Sequence, residues 1–171
     1  MPGDQIIYHS SFVINGIHFT VISTLTGIRK IIINFKNSNN PLGIHRVKPE
    51  DSRLHGVYFQ MKEYFKRKRR VFDLPLEVEG TDFQNRVWDQ LQKIPYGETI
   101  NYKELAIRLG DEKVIRAAAS AIGSNPIPVI IPCHRVIGAD GSIIGYGGGI
   151  EMKKKLLRLE GSRNMELFIS D

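Results

Sequence analysis

"YKELAIRLGDEKVIRAAASAIG", residues 102–123, has the pattern of two short helices separated by a turn. Gly110 suits the end of the first helix, because glycine readily adopts the left-handed conformation found there. Asp111 is a suitable N-terminal cap for the second helix. The short separation, with Ala106 in the first helix, is typical of a helix-turn-helix. Tight packing of an ordinary helical hairpin explains the same pattern, so both interpretations stay open.

The second helix of this pair carries small side chains at successive positions, namely Ala117, Ala118, Ala119, Ser120 and Ala121. Small side chains allow the helix backbone to approach another surface closely, since the side chains at a contact set its distance. A neighbouring helix is the simpler candidate for that surface. Arg116 precedes the row and stands where an apolar core residue is often expected.

The sequence before this pair has a different character, and the change falls across "VFDLPLEVEG", residues 71–80. Upstream, Asn15-Gly16 lies between two β-rich runs in "SFVINGIHFTVIS" and predicts a hairpin with a type I′ turn. "IRKIIINF" predicts a third strand, and "PEDSRLHGVYFQMKEYF", residues 49–65, predicts a helix. We therefore expect an α+β N-terminal domain over residues 1–75.

The sequence after residue 80 has mainly helical patterns. "TDFQNRVWDQLQKI" offers Thr81 or Asp82 as a cap, followed by an apolar stripe, and Trp88 is expected to fill the core. "IEMKKKLLRLEG", residues 150–161, predicts a closing helix that ends at Gly161. The predicted fold class is thus an α+β N-terminal domain followed by a mainly α-helical C-terminal domain, residues 76–171, that contains the helix-turn-helix.

The chain carries a net charge of +6, which weakly favours a polyanionic partner. The excess is concentrated in "KRKRR", residues 66–70. A solvated helix end next to a linker is the simpler interpretation of this run, and a direct contact with nucleic acid is the alternative.

Composition also bears on location and metals. The sequence has no run of roughly 18 apolar residues and no apolar signal segment, so we expect no membrane span and a location inside the cell. The expected compartment is the cytoplasm, at the nucleoid in a prokaryote, or the nucleus in a eukaryote. A single cysteine cannot form an internal disulfide and excludes a zinc site built on several cysteines. The spacing of His9, His18, His45 and His55 fits no metal motif. We expect neither a metal nor a cofactor.

The lone cysteine, Cys133, lies in the proline-rich apolar stretch "NPIPVIIPCHRV", residues 125–136. Three prolines forbid a continuous helix there, so residues 129–131 are predicted to form a buried strand with Cys133 at its end. A buried structural cysteine is the alternative interpretation, because free cysteine is among the most buried residue types.

A reactive thiol needs a group that accepts its proton, and His134 is adjacent. Successive residues of a strand point to opposite faces, so His134 can serve Cys133 only through a bend in the chain or a bridging water. Glu160, in the last turn of the closing helix, is a candidate to orient the histidine. We expect His134 and Glu160 to lower the effective pKa of Cys133.

Several quoted segments together resemble the O6-alkylguanine-DNA alkyltransferase family: "IPYGETINYKELA", "NPIPVI", "IPCHRV" and "GGGIEMKKKLLRLEG". The resemblance runs from about residue 81 to 161 and implies repair of double-stranded DNA. In that reaction an alkyl group moves irreversibly from O6 of guanine, and also from O4 of thymine, to the protein's own cysteine. It further implies a monomer that binds the minor groove and flips the damaged nucleotide out of the duplex.

The resemblance also implies roles for individual residues. Cys133 would be the alkyl acceptor, His134 its base through a water, and Glu160 the carboxylate behind the base. Asn125 would brace the turn before the active site, Tyr102 would aid departure of guanine, and Arg116 would fill the gap in the duplex. The implied DNA surface adds Ala117, Ala119, Ser120 and Ile122. The implied substrate pocket comprises Val136, Tyr146, Gly147, Gly148 and Lys153.

Two glycines depart from the family pattern. Gly145 and Gly147 stand where many relatives carry Asn and Ser, which suggests a roomier pocket wall. Two other functions remain as alternatives to the alkyltransferase. One is a cysteine hydrolase with a Cys-His-Glu triad, which would turn over, and the other is a DNA-binding protein with a structural cysteine, which would not need Cys133.

Overall fold

The computed structural model describes residues 6–34 and 44–162, and the chain divides into two compact units. The first unit is Met1–Glu79 and the second is Gly80–Asp171. The division thus lies inside the stretch across which the sequence pattern changes. An α+β region followed by a mainly helical region was the predicted fold class, and it is confirmed.

The described part of the first unit contains a sheet and one α-helix. Its strands are β1 (Tyr8–Ile14), β2 (Ile17–Ser23), β3 (Ile28–Ile33) and β4 (His45–Arg46), in the order β3-β2-β1-β4, and its helix is α1 (Val57–Phe65). β1 and β2 pair antiparallel with Ile14 opposite Ile17. Asn15 and Gly16 between them both have positive φ, as a type I′ turn requires. The predicted hairpin is confirmed.

Helix α1 is shorter than the sequence pattern predicted. A 3-10 turn at Ser52–Leu54 is followed by His55 and Gly56, whose φ angles of 53° and 77° are left-handed and interrupt any continuous helix. The apolar residues on both sides of the break are still buried, since Leu54 and Val57 are both fully buried. Periodicity identified the buried face but not the break.

The second unit is built from α2 (Asp82–Gln92), β5 (Ile100–Asn101), α3 (Tyr102–Arg108), α4 (Ile115–Gly123), β6 (Val136–Ile137) and α5 (Ile150–Glu160). Thr81 caps α2 in a capping box with Gln84. Trp88 is buried on α2 and donates its indole N–H to the carbonyl of Ala121, 2.8 Å away on α4. Its predicted core role is confirmed, and this bond ties α2 to α4.

Helices α3 and α4 pack against each other through a short connection. Gly110, at φ +97°, turns the chain after α3. Asp111 caps a 3-10 turn at Glu112–Val114 rather than α4 itself, which begins at Ile115. The order helix, turn, helix agrees with the sequence pattern, and its use as a DNA-binding motif stays a prediction.

β5 and β6 form a short parallel pair that the sequence did not predict, with Ile100 opposite Val136. The pair sets the start of α3 beside the segment that follows Cys133. Within residues 6–34 and 44–162, no helix combines the length and the apolar character needed to cross a membrane.

Candidate active site

The cysteine segment is a turn, and the predicted strand over residues 129–131 is wrong. Val129 has φ +77°, and the N–H of Ile131 bonds to the carbonyl of Ile127 at 2.9 Å, so the chain reverses instead of extending. The prolines that exclude a helix here equally limit an extended ladder, because they lack an N–H. Cys133 then opens a 3-10 turn, Cys133–Arg135.

The side chain of Asn125 stabilises this chain reversal with two hydrogen bonds. Its Nδ2 donates to the carbonyl of Ile131 at 2.9 Å, and its Oδ1 accepts from the N–H of Ile127 at 3.0 Å. A β-branched residue with positive φ, such as Val129, is strained and needs support from its surroundings. The two bonds of Asn125 supply such support just before the cysteine.

Because Cys133 and His134 lie in a 3-10 turn and not in a strand, their side chains are not forced to opposite faces. His134 is fully buried, and its Nε2 lies 2.8 Å from Oε1 of Glu160. The residues of a 3-10 turn do not alternate between two faces as strand residues do. The other ring nitrogen of His134, Nδ1, is buried and has no hydrogen-bond partner among the described residues.

Arg135 is a part of the site that the sequence analysis missed. Its Nε and Nη2 bind the two oxygens of Glu160 at 3.0 and 2.9 Å, and its Nη1 donates to the carbonyl of Ile94. The N–H of Gly97 also donates to Glu160, at 3.2 Å. A bidentate arginine fixes a carboxylate in place, so Glu160 is held rigidly toward His134. An arginine inside an otherwise buried apolar stretch was the available signal.

These contacts determine the protonation states of Glu160 and His134. Burial by itself would raise the pKa of Glu160, but the hydrogen bonds and charges of His134 and Arg135 outweigh it and hold that pKa well below its ordinary value. Burial lowers the pKa of His134, Glu160 opposes this, and Arg135 and Lys153 add to the lowering. His134 is therefore neutral at pH 7, with its proton on Nε2 toward the carboxylate, and Nδ1 is a free acceptor.

Burial raises the pKa of the Cys133 thiol, and a side-chain hydrogen bond with Asn125 and the charge of Lys153 only partly oppose this. The expectation of a lowered pKa is thus wrong for the resting protein. Burial penalises a thiolate more than these neighbours stabilise it. Cys133 accordingly rests as a neutral thiol and needs a base during its reaction.

Cys133 lies on the wall of a cavity of about 530 Å³. One side of the cavity comes from α3 and α4 and the other from the glycine-rich segment before α5. The lining comprises Tyr102, Ile115, Arg116, Ala119, Ile122, Gly123, Cys133, Ile144, Gly145, Tyr146 and Gly147. A volume of this size is within the range of small-molecule sites.

Two tyrosines, Tyr102 and Tyr146, line this cavity. The hydroxyl of Tyr102 donates to the carbonyl of Ile144 at a long 3.4 Å. The hydroxyl of Tyr146 is buried and has no hydrogen-bond partner among the described residues. Burial is the main cause that raises the pKa of each tyrosine, so both keep their protons at neutral pH. Tyr102 therefore brings a proton donor to the cavity, whereas the hydroxyl of Tyr146 is enclosed.

Lys153 supports the wall of the cavity from behind. Its side chain is fully buried, and its Nζ donates to the carbonyls of Val136, Ile144 and Gly145 at 2.6, 2.8 and 3.3 Å. Burial lowers the pKa of Lys153 from 10.5 to about 8. One ammonium group thus joins β6 to the loop opposite α4.

The remaining predicted residues divide between two places. Ala117 and Ser120 are exposed on α4 next to Arg116, outside the lining of the cavity. Gly148 precedes α5, and a Cβ atom there would approach the ring of Tyr146 to 2.9 Å. A Cβ atom at Gly147 would meet nothing within 4 Å, whereas one at Gly145 would lie 3.7 Å from the Tyr102 hydroxyl. Bare backbone therefore forms this part of the wall.

In the ranges that the structure describes, no group of three or more His, Cys, Asp or Glu side chains is arranged to hold a metal ion. The acid–base groups of the site are side chains of the chain itself. They are the Cys133 thiol, neutral His134, ionised Glu160 and the two tyrosine hydroxyls.

Known proteins are similar to this chain in both sequence and structure. Residues 82–162 match the model of a family described as 6-O-methylguanine DNA methyltransferase, DNA binding domain. The methylated-DNA–protein-cysteine methyltransferase of Mycobacterium tuberculosis is 44% identical over 143 residues, which are 82% of this chain and 86% of that protein.

Solved structures extend the similarity over nearly the whole chain. The crystal structure of the Mycobacterium tuberculosis O6-methylguanine methyltransferase has a TM-score of 0.81 at 36% identity, covering 95% of this chain and 99% of the other. The crystal structure of the OGT of that organism in complex with DNA has a TM-score of 0.80 at 36% identity, covering 94% and 99%.

Proposed function

Since the chain belongs to the methylated-DNA–protein-cysteine methyltransferase family, we propose that it repairs O6-alkylguanine, and also O4-alkylthymine, in double-stranded DNA by moving the alkyl group to Cys133. The observation that carries the proposal is the position of the only cysteine. It lies on the wall of a cavity and is followed directly by a histidine that Glu160 orients.

The proposed reaction forms a bond between the Cys133 sulfur and the alkyl carbon while the bond from that carbon to O6 of guanine breaks. His134 accepts the thiol proton at Nδ1 through a water, which its neutral state supports. The electron pair of the broken bond stays on guanine, and the hydroxyl of Tyr102 donates the proton that neutralises it. Tyr102 then regains a proton from the imidazolium of His134 through solvent, so the thiol proton ends on guanine and both side chains return to their neutral state.

A cavity that receives guanine from a duplex requires the nucleotide to leave the base stack. We assign this step to α4, whose exposed face carries Arg116 and the small side chains of Ala117, Ala119 and Ser120. Small side chains let the helix lie deep in the minor groove, and Arg116 fills the space that the flipped nucleotide leaves. Unstacking costs a few kcal/mol per step, which contacts of this kind must offset.

The product, S-alkylcysteine, is a thioether that water does not cleave, so each chain reacts once. Titration of a fixed amount of protein with O6-methylguanine duplex should plateau at about one alkyl group per chain, the single nucleophile assigned here. Mass analysis should find that group on Cys133, and Cys133→Ser protein should accept none. Transfer that continues beyond the plateau would support the hydrolase alternative, and transfer by the serine variant would reject Cys133 as the acceptor.

Arg116→Ala is expected to slow repair of intact duplex by about tenfold or more, since a lost charged contact is worth roughly 1.5–3 kcal/mol. Its reaction with free O6-benzylguanine, which needs no extrusion, should change little. The measurement is the second-order rate of alkyl transfer from each substrate. Lys113→Ala, an exposed basic residue just before α4, is the matched control. Equal losses by Arg116→Ala on both substrates would contradict a role in extrusion.

A further inference from the structure

Nearly all the excess positive charge of the chain lies in residues 62–70, here called the basic cap. This stretch holds six of the 24 lysines and arginines and one of the 18 acidic residues, which leaves 18 and 17 for the rest of the chain. The basic cap comprises the last turn of α1 and the residues directly after it. Charge at this density attracts polyanions, and the remainder of the chain is almost neutral.

The basic cap is a folded structure. The N–H of Lys68 bonds to the carbonyl of Glu63 at 2.9 Å, and the N–H of Arg67 bonds to the carbonyl of Tyr64 at 2.9 Å. These two bonds make the Schellman motif that ends many helices. Residues after α1 are thereby folded back over its C-terminal end, and their positions are defined.

The residue at the left-handed position of this motif is an arginine. Arg67 has φ +58°, a conformation in which glycine is strongly preferred because a Cβ atom is disfavoured there. The sequence thus places a positive charge where glycine would end the helix with less strain. Strain of this kind is a reason to look for a function of the side chain.

The lysines of the basic cap face solvent. Lys62, Lys66 and Lys68 are exposed, whereas Arg69 is turned inward and binds Glu63 at 2.7 Å and the carbonyl of Val71 at 2.9 Å. Arg69 therefore fixes the turn, and the lysines and Arg67 carry charge to the surface. Positive charge at a helix C-terminus also favours the helix itself, which is the simpler explanation that an experiment must separate.

We propose that the basic cap is a second contact surface for DNA and binds its phosphate backbone without reading sequence. The inference rests on DNA as the partner in the proposed function and adds a contact outside the unit that holds Cys133. Lysine is a compact, hydrated charge suited to phosphate contact. Because the two units belong to one chain, DNA held by one is at high effective concentration for the other.

The test measures the affinity of the whole chain for an undamaged duplex over a range of salt concentrations. Binding to B-DNA weakens with log salt by a slope of about 0.9 per phosphate contact. The triple variant K66Q/R67G/K68Q removes three charges and supplies the glycine that the turn prefers. Its slope should be shallower than that of the wild type by about 2 to 3. The variant K66R/K68R, which keeps the charges, should retain the wild-type slope.

The matched control is K30Q/R46Q/K48Q, which removes three exposed charges from the same unit. Its slope should change by less than about one, since only contact residues release counterions. Equal slopes and affinities for the two triple variants would overturn the proposal. R67G alone should keep or raise the melting temperature while the slope becomes shallower, and a lower melting temperature with an unchanged slope would assign Arg67 to helix capping.

Reaction of each variant with free O6-benzylguanine serves as the readout of the unit that contains Cys133. It needs no DNA and should be the same in the wild type and in every basic-cap variant. Failure of the wild type itself to react would count against the proposed function, whereas normal reaction with an unchanged salt slope would count only against the basic cap. The two failures are therefore distinguishable.

Discussion

Glu160→Gln is expected to lower the free energy of unfolding by about 3–5 kcal/mol, the usual effect of breaking a buried ion pair on one side. Glutamine nearly preserves the shape of the side chain but leaves the buried guanidinium of Arg135 without its charge partner. Alkyl transfer should slow as well, because His134 loses the carboxylate that orients it. Chemical denaturation and the rate of transfer as a function of pH measure the two effects.

The pH dependence of this difference has a definite sign. The folded protein holds the pKa of Glu160 well below its ordinary 4.5, so the ionised carboxylate stabilises the fold above about that pH. The stabilisation is lost as pH falls below 4.5 toward the folded pKa. The stability gap between wild type and Glu160→Gln should therefore narrow under acid conditions.

A double variant separates the structural effect of Glu160 from its effect on His134. Glu160→Gln combined with Arg135→Met removes both charges, and stability should recover substantially, because no unpaired charge is then left buried. Transfer should stay slow, because His134 still lacks its carboxylate partner. A double variant as unstable as the single one would mean that the lost stability does not come from the unpaired arginine.

Lys153→Met is expected to remove a rise in stability of about 3 kcal/mol that the wild type shows between about pH 8 and 10.5. Burial lowers the pKa of Lys153 from 10.5 to about 8, and each pH unit between these two values is worth about 1.36 kcal/mol. The folded pKa lies below the unfolded one, so the unfolded chain binds more protons in this interval and stability increases with pH. Cysteine and tyrosine side chains of the unfolded chain also ionise in this region, so the measured quantity is the difference between variant and wild type. Lys154→Met, which removes a less buried lysine paired with Glu151, should retain the rise.

The same substitution should slow alkyl transfer by about ten- to hundredfold, because the carbonyls of Ile144 and Gly145 lose the donor that positions the wall of the cavity. Reaction with free O6-benzylguanine reports this loss without any contribution from DNA binding. Unchanged transfer in Lys153→Met would show that the wall is held by other contacts.

Local patterns in the sequence predicted much of the fold, since their causes are local. Asn15-Gly16 can form a type I′ turn whatever surrounds it, and Thr81 with Gln84 contains its own capping box. The break before α1 was not predicted, because the residue type of His55 does not indicate a left-handed conformation. The parallel pairing of Ile100 with Val136 was missed as well, because two-residue strands have no periodicity to detect.

The candidate site was predictable to a different degree at each residue. Cys133, His134 and Glu160 were predicted from their chemistry and from family resemblance, and the structure brings His134 and Glu160 into contact. The apolar run before the cysteine was interpreted as a strand, because its turn depends on the two side-chain bonds of Asn125. Arg135 was missed because its importance lies in a carboxylate 25 residues away. The raised pKa of the thiol follows from burial, which spacing along the chain does not report.

The burial of Cys133 has a consequence for the lifetime of the unreacted protein. The residue is only 4% exposed and keeps its proton, whereas peroxide attacks accessible thiolates. If each chain reacts once, as proposed, burial thus protects the thiol from oxidation that would inactivate it before any lesion arrives. The proposed reaction requires a carbon that enters the cavity beside Cys133, so selectivity would reside in access to the sulfur and not in its intrinsic nucleophilicity.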